Sequence, residues 1–65
     1  MIKNKVKYYR KKFALSQTRL AELVNISRQS ISSIERNESV PSLETAFKLS
    51  RELYVAIHIL FQYEE

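Results

Sequence analysis

Apolar residues in this chain recur every three or four positions, the interval that gathers side chains onto one face of an α-helix. Ile2, Val6, Tyr9 and Phe13 share a narrow sector, which predicts an amphipathic first helix over about residues 5–13. Ser16 is placed to cap a second helix carrying Leu20, Ala21, Leu23 and Val24, and Asn25 interrupts it. Ser27 caps a third helix, whose inward stripe is marked by Ile31, Ile34 and Glu35 and whose end lies near Asn37. "ESVPS" is a loop holding the only proline, and Ser42 opens a fourth helix with Leu43, Ala46, Phe47, Leu49, Ser50 and Leu53. The closing "AIHILFQYEE" has room for a short fifth helix followed by extended residues. The pattern is all-α.

Five helices in 65 residues need tight breaks, yet the chain has no glycine. Asparagine is the next-best occupant of the left-handed conformation, so Asn25 and Asn37 read as the residues that end helices two and three. Ala14 and Tyr54 occupy the equivalent breaks after helices one and four. Either they adopt positive φ at about 1 kcal/mol each, or those turns avoid that region. The sequence leaves both readings open.

A chain of 65 residues makes one domain, spanning 1–65, and buries only about 60% of its unfolded surface. Without cysteine it has neither disulfides nor a thiolate metal site, which fits a reducing, cytoplasmic setting. "MIKNKVKYYRKK" has no apolar stretch suited to a signal or anchor, and no run approaches the roughly 18–20 residues that cross a bilayer. Charge is unevenly spread: residues 1–36 hold nine Lys/Arg and two Glu, residues 37–65 two Lys/Arg and five Glu. A basic half points to a polyanion, although a solvated lysine-rich helix would look the same. Charge alone does not separate nucleic acid from an acidic membrane surface.

The segment "QTRLAELVNISRQSISSIER", residues 17–36, changes that picture. Two short helices broken at Asn25 place Leu20, Val24, Ile26, Ile31 and Ile34 on a shared interior, with the small Ala21 where the helices cross. That is the helix-turn-helix arrangement. "LSQTRLAELVNISRQSISSIERN" followed by "PSLETAFKLSREL" resembles the framework of the phage-repressor-like, xenobiotic-response-element family of regulators over about residues 6–61. The resemblance implies a five-helix, lambda-repressor-like DNA-binding domain. The apolar tail, taken with "MIKN", is similar to the small cytolysin-repressor-type regulators, which implies a short antiparallel hairpin formed by the two termini.

The third helix is rich in serine, a mediocre helix former. With Ile31 inward, Gln29 and Ser33 point outward, flanked by Ser32 and Arg36. Such a face suits a DNA major groove about 12 Å wide, where Gln pairs bidentately with adenine and Arg with guanine. Family members dock through the N-terminal turns of this helix, which implies base contacts from Arg28, Gln29, Ser33 and Ser30. Phosphate contacts are expected from Ser16, Gln17, Arg19, Ser27, Arg36, Asn37 and Ser39; Gln17 owes its place to the resemblance, and Ser16 to the N–H groups at a helix start. Arg19 stands where a capping acid is common, and Glu38 where the family often has a basic or neutral residue. Glu35 lies in the last turn of the third helix, where the helix dipole disfavours an anion, and the resemblance supplies Arg10 as its structural partner.

His58, among Ile57, Ile59 and Leu60, is expected at a surface or interface; with no cysteine or aspartate, neither a metal site nor a cofactor is indicated. The seven aromatic residues read as core or interface. Nothing resembles an assembled nucleophile, base and orienter, so no enzymatic activity is expected. The resemblance implies a sequence-specific transcriptional regulator, acting as a repressor and as a homodimer on a palindromic duplex operator. Ile57, Leu60, Phe61 and Tyr63 are expected at the dimer interface. The alternative is an antitoxin-type module that binds a toxin protein and its own operator.

Overall fold

The computed structural model covers residues 1–65 and builds seven elements. In chain order they are β1 (Ile2–Asn4), α1 (Val6–Lys12), α2 (Gln17–Val24), α3 (Arg28–Glu35), α4 (Leu43–Glu52), α5 (Ile57–Leu60) and β2 (Phe61–Tyr63). β1 and β2 pair antiparallel, with Ile2 opposite Tyr63, Lys3 opposite Gln62 and Asn4 opposite Phe61. The fold is therefore five helices closed by a hairpin of the two termini, as the sequence implied.

Local chemistry explains four of the five helix starts; Ala56 before α5 offers no side-chain cap. The Ser16, Ser27 and Ser42 hydroxyls accept from the backbone N–H of Arg19, Ser30 and Thr45 at 2.9, 3.0 and 3.1 Å. Each satisfies one of the donors a helix start leaves orphaned. α1 has no such cap at Lys5; the Asn4 side chain serves instead, accepting from Val6 N–H at 3.0 Å. Arg10, Lys11 and Lys12 crowd the last turn of α1, where the dipole favours cations.

The four breaks share one solution. Ala14, Asn25, Asn37 and Tyr54 all adopt φ between 54° and 60°. In each case the next N–H reaches back five residues: Leu15 to Arg10, Ile26 to Ala21, Glu38 to Ser33 and Val55 to Ser50, at 2.9–3.2 Å. This is the Schellman closure, normally built on glycine. Tyr54 and Phe13 lean together across two of the breaks, with ring centroids 5.8 Å apart. After three of the breaks the residue is apolar and packs on the core, namely Leu15, Ile26 and Val55. After α3 it is the exposed Glu38.

Val6, Leu20, Ala21, Val24, Ile31, Ile34, Leu49, Leu53 and Leu60 form the core. Ala21 is buried beside α3 as its small size requires, and Ile26 is half-buried. Leu60 was expected at a dimer interface, but it is fully buried within its own chain, so its surface is already used. None of the aromatic residues, expected in the core or at an interface, is fully buried, although Tyr9 and Phe61 pack against the core. Tyr9 and Phe61 are half-buried, and Tyr8, Phe13, Phe47, Tyr54 and Tyr63 are exposed. Leu43 and Phe47 on α4 are likewise exposed, because α4 is anchored by Ala46, Leu49 and Leu53, one helical stripe away. No helix is long and apolar enough to cross a membrane.

Candidate nucleic-acid interface

α3 presents two unlike faces. Ile31 and Ile34 face the core, 0% and 3% exposed. Arg28, Gln29, Ser32, Ser33 and Arg36 line one open polar depression on the other side, with no apolar residue among them. Arg28, Gln29 and Ser30 are exposed, and Ser32 and Ser33 half-buried. The side-chain hydrogen bonds along this face belong to Ser27, Ser30, Ser32 and Arg36. Arg28, Gln29 and Ser33 are therefore free to meet a ligand. The Ser27 and Ser30 hydroxyls share a bond at 2.9 Å while Ser27 caps the helix, so both are partly committed.

Behind the face lies a network that fixes its direction. Arg10 donates to Glu35 through Nε at 2.7 Å and Nη2 at 3.2 Å, and through Nη1 to the Leu15 carbonyl at 2.8 Å. The two side chains are 10% and 3% exposed. Gln17 Nε2 also donates to Glu35 Oε1, at 3.0 Å. One carboxylate thus ties α1, α2 and α3 together, and the anion at the end of α3 is satisfied by a guanidinium fork and an amide. The expected Arg10–Glu35 pair is present. Gln17, expected at a phosphate, has its side-chain amide directed at Glu35; its backbone N–H at the start of α2 is a separate donor.

The flanking candidates differ in how freely they stand. Ser16, Arg19, Asn37 and Ser39 are exposed. Arg19 pairs with Glu22 one turn on, at 3.3 Å, which answers its poor position in the helix dipole. Arg36 donates Nη1 to the Ser32 hydroxyl and Nη2 to Glu38 Oε1 at 2.9 Å. That hydrogen bond first, and charge attraction second, hold the Arg36 guanidinium above its ordinary range and the Glu38 carboxyl below the usual carboxylate range.

Asn4 is the residue that sequence reasoning missed. Its Nδ2 donates to the Ile34 carbonyl at 2.8 Å and to Asn37 Oδ1 at 3.1 Å, so the terminal hairpin grips the last turn of α3. An Asn two residues before a helix start signals its bond to Val6. Nothing in the sequence signals a partner thirty positions away. His58 is exposed on α5, and of the residues expected at an interface Ile57 and Phe61 are half-buried and Tyr63 exposed.

Comparison with known proteins places these features together. A family model described as helix-turn-helix matches residues 6–60. An HTH-type transcriptional regulator of Methanocaldococcus jannaschii is 44% identical over 64 residues, covering 98% of this chain and 97% of that one. The P22 c2 repressor, solved with a synthetic operator, superposes with a TM-score of 0.81 at 32% identity, covering 86% of both chains. SinR, described as the master regulator for biofilm formation and solved with DNA, superposes with a TM-score of 0.76 at 38% identity, covering 83% of this chain and 87% of that one.

Proposed function

This chain belongs to the helix-turn-helix family, and on that premise we propose that it is a sequence-specific, duplex-DNA-binding repressor that acts as a homodimer. One observation carries the reading: α3 is pinned from behind by Ile31, Ile34 and Glu35 while Arg28, Gln29 and Ser33 stand unengaged in front. A major groove accepts a helix, and base edges are read by short or bidentate polar side chains of this kind. α3 lies in the groove with Arg28, Gln29 and Ser33 at base edges, and Ser30 reaches base or backbone. Ser16, Arg19, Ser27, Asn37 and Ser39, with the backbone N–H of Gln17, line the phosphates on either side.

Dimerisation is supported by a second surface. Ile2, Val40, Pro41, Leu43, Ile57 and Phe61 line an apolar groove beside the hairpin, with Val40 and Leu43 largely exposed. An apolar patch of this kind on so small a chain is suited to burial against a second copy. Two copies joined there present two α3 helices to successive major grooves.

Selection of bound duplexes from a random pool tests the reading. The expected product is a pseudo-palindrome with half-sites about one helical turn apart, or a multiple of it. Failure to enrich any duplex refutes DNA recognition, and enrichment of a single unpaired half-site refutes the dimer.

A further inference from the structure

Of the four helix breaks, the one after α3 departs from the pattern of the others. Where Leu15, Ile26 and Val55 pack onto the core, this position holds Glu38, and its carboxylate turns to Arg36. A residue that buries nothing here gives up the apolar contact that usually accompanies such a closure. What it does instead is hold a guanidinium.

Arg36 is tethered at both ends of its fork, to Ser32 on the outer face of α3 and to Glu38 in the following loop. Arginine has five N–H donors, and these two bonds leave the other three unengaged. The tethered group lines the same depression as Arg28, Gln29 and Ser33. Arg28 carries no such restraint. Two consequences follow for a DNA ligand. The adjoining carboxylate offsets the positive charge, so Arg36 gains little from phosphate attraction and counterion release. Its fork is nevertheless held in one orientation, which lowers the entropy lost when it pairs with a planar acceptor edge.

We propose that Arg36 reads a guanine edge in the major groove and that Glu38 is the positioning residue that holds it there. The sequence placed Arg36 among the phosphate contacts; its tether to Ser32 and Glu38 moves it to the base-reading set. The inference rests on the proposed DNA-binding reading and adds one specific feature, a guanine in each half-site whose recognition depends on Glu38.

Three variants of the full chain test it: Arg36→Ala, Arg36→Lys and Glu38→Gln, each at an exposed position. Each is carried through selection from the random duplex pool and then titrated on the wild-type-selected duplex and on a scrambled one over a range of salt. Arg36→Ala is expected to weaken the selected duplex about 5- to 150-fold and to erase preference at one guanine per half-site. Its salt slope should flatten by about one unit, because the Glu38 carboxylate is left unpaired beside the DNA. Arg36→Lys keeps the charge but loses the fork, and should lose the same guanine preference. Glu38→Gln should blur that preference while strengthening binding to scrambled DNA and steepening the salt slope by about one unit. The inference is overturned if Arg36→Ala weakens both duplexes equally and leaves every base preference intact, which marks a phosphate contact. It is also overturned if Glu38→Gln leaves every base preference intact. Failure of the wild type to enrich any duplex is a different result, and it removes the DNA-binding reading itself.

Discussion

Two arginine–glutamate pairs flank the last turn of α3, and they are nearly equal in length. Arg10 meets Glu35 at 2.7 Å and Arg36 meets Glu38 at 2.9 Å. Their surroundings are opposite: side-chain exposures are 10% and 3% in the first pair, 56% and 58% in the second. The same chemistry therefore does different work. In the first pair, desolvation makes each charge dependent on the other, so the pair locks three helices in place. In the second, water and salt screen the attraction, so the pair adds little to folding and is left to orient the Arg36 fork on the outer face. Distance alone does not reveal the role of an ion pair; burial does.

The sharpest way to break this contrast is to remove one member of the buried pair. Arg10→Ala or Glu35→Ala should destabilise the fold by about 3–5 kcal/mol. A domain of this length has only about 3–10 kcal/mol in total, so thermal unfolding should show a variant largely unfolded near room temperature. A melting point close to that of the wild type would mean that the pair is wet. The hairpin's grip on α3 comes next. Asn4→Ala removes two bonds to the end of α3 and the cap of α1, and should cost about 1–2 kcal/mol in chemical denaturation.

A gain of stability is expected at the breaks. Ala14 holds φ 56° without glycine's freedom, so Ala14→Gly should stabilise by about 0.5–1 kcal/mol, readable as a higher melting point. The smallest effect belongs to the exposed pair. Glu38→Gln should change the melting point at neutral pH least of all these variants. Because the folded-state Glu38 carboxyl sits below its ordinary 4.5, its contribution is present above that value and is lost as pH falls through the lower folded value. Wild type and Glu38→Gln should therefore converge in melting point at acidic pH. In high salt the difference should vanish as well, whereas the loss in Arg10→Ala should persist.

Much of this was legible in the sequence because it is local. Serine caps answer to the residue three positions on, and helical stripes answer to a period, so Ser16, Ser27, Ser42 and the core isoleucines and leucines could be placed. Asn25 and Asn37 were recognisable as left-handed residues because asparagine tolerates that region. Ala14 and Tyr54 were not, because no property of alanine or tyrosine favours positive φ; the surrounding closures impose it. The Arg10–Glu35 partnership came from the family resemblance. What remained hidden was contact between distant polar groups. Asn4 binds a backbone carbonyl, which leaves no mark in sequence, and the Gln17 side-chain amide donates to Glu35. Leu60 was misplaced for a related reason. Hydrophobic character says that a side chain seeks cover, and only packing says whether its own chain provides it.

The central claim is that the outward face of α3 reads base edges while the inward face only supports it. Gln29 tests this most directly, being exposed, unengaged and outside the buried hydrogen-bond network. Gln29→Ala, titrated on the selected duplex and on a scrambled one at the same salt, should lose about 1–3 kcal/mol on the first and nothing on the second. Equal loss on both, or no loss on either, would contradict the account.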